Sequence, residues 1–119
     1  MLEKDLKRAA VDYLEIGQAQ GRWFYLRLNA GSFILTDKEG NFRRRVQGAK
    51  AGTADFEIIQ YMPTPFSQNY AVRVTFVELK SRKGKTTKAQ DEFAVMVESF
   101  GCVYVVIRSL DELITLLED

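Results

Sequence analysis

The segment from Tyr70 to Ile107 constrains the fold more than any other part of the chain. Tyr70 to Lys80 alternates apolar and polar residues over the length of a long strand. Thr86 or Thr87 can then cap a helix that carries Ala89, Phe93, Met96, Val97 and Phe100 on one stripe and stops at Gly101. Val103 to Ile107 is apolar throughout, the pattern of a buried strand. Two strands joined through a helix predict a parallel crossover, which places the chain among α/β folds.

The remaining elements follow from periodicity and turn chemistry. Residues 2 to about 20 read as an amphipathic helix, with Leu2, Leu6, Ala9, Ala10, Tyr13 and Leu14 recurring at three- and four-residue steps. Gly17 and Gly21 mark its fraying end. Trp23 to Leu28 is β-rich and bounded by the turn signal Asn29-Ala30-Gly31-Ser32. Phe33 to Leu35 and Phe42 to Val46 flank a polar tip and read as a hairpin. Gln47 to Thr53 is a loop of small residues where backbone can approach a ligand. Ala54 to Tyr61 is an apolar strand, Met62 to Asn69 a loop, and Ser109-Leu110-Asp111-Glu112 a capping box that opens a final helix through Leu117. The expected order is helix, three or four strands, helix, strand, helix: a mixed β-sheet flanked by helices, in one domain spanning residues 1–119.

Composition bounds the chemistry. The chain has 119 residues, 46% hydrophobic and 28% charged, enough for one core and one site. It contains no histidine, which excludes imidazole bases, serine and cysteine triads and His-ligated metal hydrolases. Cys102 is alone, so it forms neither an intramolecular disulfide nor a cysteine zinc cluster, and its apolar surroundings predict a buried, inert thiol. This usage fits a reducing cytoplasm. The apolar runs fall far short of the ~18 to 20 residues of a membrane span, and the charged start Met1-Leu2-Glu3-Lys4-Asp5 is unlike a secretory signal, so no membrane association is expected. Net charge is +1, but Arg43, Arg44 and Arg45 stand together and Lys80, Arg82, Lys83, Lys85 and Lys88 crowd nine positions. A local basic surface is expected.

With imidazole absent, carboxylates and lysines carry the remaining options. Strand periodicity puts Glu78 and Lys80 on one face. If the strands on either side of the Met62 loop form an antiparallel hairpin, Asp55 and Glu78 come to the same end. Two carboxylates there repel unless a cation lies between them, and Mg²⁺ or Mn²⁺ prefers such oxygen ligands. A metal of this kind acidifies water and neutralises a phosphate, while Lys80 can position the water and offset charge. Phosphodiester hydrolysis is the matching chemistry. Each residue also has a plainer reading: Glu78 a solvated strand end, Asp55 a loop-to-strand residue, Gln90 a capping-box partner of Thr87, Glu3 a first-turn acid and Arg43 to Arg45 an exposed hairpin edge. The conjunction of Asp55 after a glycine loop, Glu78 and Lys80 at the mirrored strand end and a basic loop entering a capped helix favours the site.

These motifs resemble the PD-(D/E)xK nuclease superfamily, and within it the virus-type replication-repair nuclease domain, VRR-NUC. The resemblance covers nearly the whole chain. Glu3-Lys4-Asp5 is similar to the family's N-terminal acidic position, Arg27-Leu28-Asn29 to its Arg-x-Asn strand end, and Gly48 to Asp55 to its G-x-K-G-S-P-D segment. Val77-Glu78-Leu79-Lys80 matches its E-x-K, and Gly84 to Gln90 resembles its G-x-x-S-x-x-Q motif, with Phe93 and Gly101 following. Ala54 stands for the family's proline, Thr87 for its serine, and Ala51 and Gly52 offset one glycine. The resemblance implies a restriction-endonuclease-like core and a metal held by Asp55, Glu78 and the Leu79 carbonyl, with Glu3 as a further support. Lys80 would stand at the nucleophile, and Gln90 would orient Lys80 or the water. It further implies a homodimer acting on branched DNA such as four-way junctions, with Arg43, Arg44, Arg45, Lys50, Arg82, Lys83, Lys85 and Lys88 as DNA contacts. Leu113, Ile114, Leu116 and Leu117 of the final helix serve either the core or a dimer interface. Two other readings compete: a junction-binding module of the same fold that does not cleave, and a subunit docking on replication or repair proteins.

Overall fold

A computed structural model describes residues 2–29, 32–63 and 70–118. Its elements run α1 (Glu3–Ala19), β1 (Phe24–Arg27), β2 (Ser32–Thr36), β3 (Phe42–Gln47), β4 (Phe56–Pro63), β5 (Tyr70–Leu79), α2 (Lys88–Ser99), β6 (Val103–Ile107) and α3 (Leu110–Glu118). Five strands therefore separate α1 from α2, not three or four. The hairpin β2–β3 forms a two-stranded sheet of its own beside the four-stranded sheet β1-β4-β5-β6.

In the larger sheet β4 pairs antiparallel with β1 and β5, and β5 pairs parallel with β6 through α2. The predicted crossover is thus present, and the chain is mixed α/β. Met62 and Pro63 extend β4 rather than opening a loop, because they continue the ladder opposite Ala71 and Tyr70. The rest of that expected loop, like the turn residues Ala30 and Gly31, lies outside the described residues.

One sheet face is closed by α1 and α3. Leu6, Ala10 and Leu14 of α1 and Leu113 and Leu117 of α3 pack with Trp23, Tyr25, Phe56, Ile58, Val77, Leu79 and Ile107. The final helix therefore spends its main apolar positions in the core of its own chain. Burying a large aliphatic or aromatic side chain in this way is worth about 1.5–3 kcal/mol. The α3 end is tied down by polar contacts as well: Gln60 Nε2 donates to the Leu117 carbonyl at 3.3 Å, and Arg73 bridges Gln60 and the Leu116 carbonyl. Ser109 Oγ accepts from Glu112 N at 3.2 Å, which caps α3 where the sequence places its start.

Three local expectations are corrected. Gly17 does not fray the first helix but lies buried inside it, under the Trp23 indole; an ideal Cβ there would sit 1.9 Å from Trp23 Cζ2. Strand β6 is an edge strand, only half-buried up to Ile107, so its continuous apolar run reflects contact with α3 and α2 on its two faces rather than burial at the sheet centre. Cys102 is half-buried rather than enclosed.

Helix α2 covers the opposite face. Phe93 meets Phe76 edge-on at 5.3 Å and Tyr104 at 6.1 Å. Its expected apolar stripe is only partly used, since Met96 and Phe100 are 60% and 80% exposed. Among the described residues, no helix is long and apolar enough to cross a membrane.

Candidate functional site

The C-terminal end of β5 is the point where the start of β4 and the first turns of α1 and α2 converge. Register explains the meeting: Phe56 pairs with Val77, so the residue before one and the residue after the other, Asp55 and Glu78, face each other at the ladder's end. Asp55 is fixed there by its own backbone and side chain. Its carbonyl accepts from Leu28 N at 2.9 Å, and its Oδ2 accepts from Leu79 N at 2.7 Å. The hairpin geometry inferred from sequence is the geometry observed.

Glu78 is 3% exposed, an unusual setting for a carboxylate. Burial, a hydrogen bond with Asp55 and the Asp55 charge push its pKa up to about 8, Glu3 adding to the rise and Lys80 opposing it. Glu78 Oε1 accepts from Gln90 Nε2 at 3.1 Å. Gln90 reaches it from α2 while closing a reciprocal capping box, its Oε1 taking the Thr87 N–H and its own N–H bonding Thr87 Oγ1. The structural and the site roles of Gln90 are therefore one arrangement, and the amide serves Glu78 directly.

Lys80 continues the β5–β6 ladder by donating its N–H to the Ile107 carbonyl at 3.0 Å, and is half-buried beside Glu78. Leu79, whose carbonyl is a candidate ligand, is fully buried in the core, which holds the backbone between Glu78 and Lys80 in place. Glu3 is exposed in the first turn of α1, within electrostatic reach of Glu78. Among the described residues no three acidic or cysteine side chains are grouped to hold a metal, so the cluster offers two carboxylates, with Glu3 farther out.

The glycine loop is seated against α2. Gly52 adopts φ +90°, and an ideal Cβ there would sit 2.4 Å from the Ala89 carbonyl oxygen. Only glycine fits both the conformation and the approach. The close contact expected of this loop is thus made with the first turn of α2.

The basic residues divide into two groups. Lys50, in the loop before Asp55, and Arg82, Lys83 and Lys85, in the loop after Lys80, are exposed, as is Lys88 at the start of α2, which forms a 3.9 Å ion pair with Glu92. Arg43, Arg44 and Arg45 are exposed on β3, in a separate sheet.

Three residues escape the sequence reading. Lys7 Nζ lies 3.7 Å from Asp55 Oδ1; its spacing of four from Glu3, one helical turn, was the available signal. Arg108 Nη1 donates to the carbonyls of Ser81 and Gly84 at 2.7 and 2.6 Å and so shapes the basic loop, a non-local contact with no sequence signature. The Tyr104 hydroxyl is buried near the carboxylates without a partner among the described residues, and burial with the charges of Glu78, Asp91 and Asp55 pushes it up to about 12.

A buried Glu78 carboxyl beside the partly exposed Asp55 carboxylate is a donor set that a hard divalent cation satisfies, and two helix N-termini beside it favour anionic groups. Comparison with protein-family models, with curated proteins and with solved structures finds no match for this chain.

Proposed function

We propose that this protein is a metal-dependent DNA endonuclease with a restriction-endonuclease-like core of the PD-(D/E)xK type, similar to VRR-NUC domains. The observation that carries this reading is the meeting of Asp55 with buried Glu78 at the β5 end, beside Lys80 and under the Gln90 amide. Asp55, Glu78 and the Leu79 carbonyl would hold Mg²⁺ or Mn²⁺. When bound, such a cation neutralises a phosphate oxygen and acidifies water.

The protein's own groups do the rest. The Leu79 N–H and the Gln90 amide each fix one carboxylate, so ligand geometry is set before substrate arrives. Lys80 orients the attacking water and offsets charge that develops on the phosphate. The exposed Lys50, Arg82, Lys83, Lys85 and Lys88, in the segments adjoining Asp55 and Lys80 in the chain, contact backbone phosphates. Branched DNA, a homodimer and a cytoplasmic setting belong to the same proposal.

The test incubates four-way junction, flap and linear duplex DNA with Mg²⁺, with EDTA, and with the Glu78→Gln variant. Metal-dependent products that fall at least about 100-fold in the variant are expected. Equal products from wild type and Glu78→Gln would assign the cleavage elsewhere. Salt-sensitive junction binding without products would establish instead the non-cleaving module.

A further inference from the structure

Lys7 stands where nothing in the motif pattern requires a cation. Asp55 has two carboxylate oxygens, and the Leu79 N–H occupies Oδ2. The Lys7 ammonium lies 3.7 Å from the other, Oδ1. Oδ1 is the Asp55 oxygen that takes no backbone N–H from Leu79, so the ammonium and an ion held there compete for one position.

The attachment suits exchange. Lys7 is anchored through α1, whose Leu6 and Ala10 are buried in the core on either side of it in sequence. Its side chain is still 42% exposed, and four rotatable bonds let the ammonium swing into solvent without disturbing the helix. At 3.7 Å the pair is a loose ion contact rather than a short, charge-assisted hydrogen bond. A half-exposed pair of this kind is readily broken.

Resting on the endonuclease reading, we infer that Lys7 is a displaceable counter-cation: it neutralises Asp55 while the metal is absent and is driven off Oδ1 when a divalent ion enters. Lys7 is then a positioning residue. It offsets part of the Asp55 charge in the free protein and weakens metal affinity in exchange.

The test is calorimetric titration of Mn²⁺ into the full chain at pH 8 and low salt, for wild type, Lys7→Met, Lys7→Gln, Lys7→Arg and Asp55→Asn. Removing the charge should tighten the Mn²⁺ Kd roughly three- to tenfold in both Lys7→Met and Lys7→Gln, the effect of removing one competing and repelling charge at this range. Lys7→Arg, which restores the charge, should stay within about twofold of wild type, a pattern that a packing role would not give. Asp55→Asn should lose most binding. Wild-type affinity in both neutral variants, with binding intact and lost in Asp55→Asn, would overturn the role of Lys7 and leave the metal site standing. Absence of Mn²⁺ binding in wild type and in both neutral variants would overturn the metal site and the inference together.

Discussion

At the scale of single residues, Glu78 carries the largest consequence. Its carboxyl pKa rises from an ordinary 4.5 to about 8 in the metal-free fold, chiefly through burial and then through Asp55. A raised folded-state value means that the group's contribution to stability is fully present below about pH 4.5, where the unfolded chain is also protonated, and is lost as pH climbs to about 8. Unfolding free energy of the EDTA-treated protein should therefore decline across that window, by on the order of 3 kcal/mol. Urea melts at pH 5 and pH 8.5 measure it, and Glu78→Gln should flatten the dependence; an unchanged slope in the variant would assign the decline to another group. Thr75 offers a contrasting case. It is fully buried opposite Ile58, and its hydroxyl has no partner among the described residues. Thr75→Val should raise stability by about 1 kcal/mol, because a desolvated hydroxyl is replaced by a methyl; a loss of stability in the same melts would show that the hydroxyl is satisfied in solution.

At the scale of elements, the first turn of α2 connects packing to the site. Thr87 caps the helix, Gln90 closes the box and reaches Glu78, and Gly52 packs against Ala89. Thr87→Ala should cost about 1 kcal/mol of stability and Thr87→Ser almost nothing, since serine keeps the capping oxygen. If Thr87→Ala melted like wild type, the capping bond would contribute nothing to stability. On the other side of the site, α1 has no side-chain cap at Leu2, and its position rests on Leu6, Ala10 and Leu14 in the core. The helix that brings Lys7 to Asp55 is thus held by core packing, and the helix that brings Gln90 to Glu78 by its capped start and by Phe93 on Phe76 and Tyr104.

At the scale of the whole molecule, the hairpin β2–β3 sets the shape. The radius of gyration is 16.5 Å, against about 13–14 Å for a compact chain of this length, and the long axis reaches 59 Å. Among the described residues β2 and β3 lie close to each other and to no other helix or strand. The hairpin's base is narrow, because Ala49 N donates to the Asn29 carbonyl at 2.7 Å. Replacing residues 30–48 by a short Gly-Ser turn should leave the melting temperature within a few degrees of wild type, as expected when few core contacts are removed. The same deletion should weaken DNA binding and lower its salt slope, since Arg43, Arg44 and Arg45 leave with it. A collapse in stability would place the hairpin in the folding core.

Much of this architecture was legible in the chain. Alternation in Tyr70 to Lys80 and the capped helix after it predicted the parallel crossover, because strand and helix periods are local properties of the backbone. The mirrored positions of Asp55 and Glu78 followed from the same strands once they were taken as a hairpin. Tertiary structure alone decided the rest. Gly17 serves Trp23 rather than the helix end, since only the folded chain brings an indole over that turn. The β6 run lies at a sheet edge, which its composition does not distinguish from a centre. Lys7 and Arg108 act through partners 48 and 24 to 27 positions away, and no local pattern encodes such contacts. The sequence by itself determined which elements form and which carboxylates share a strand end. Packing determined that Glu78 is buried, and burial supplies the electrostatics on which any chemistry at this site depends.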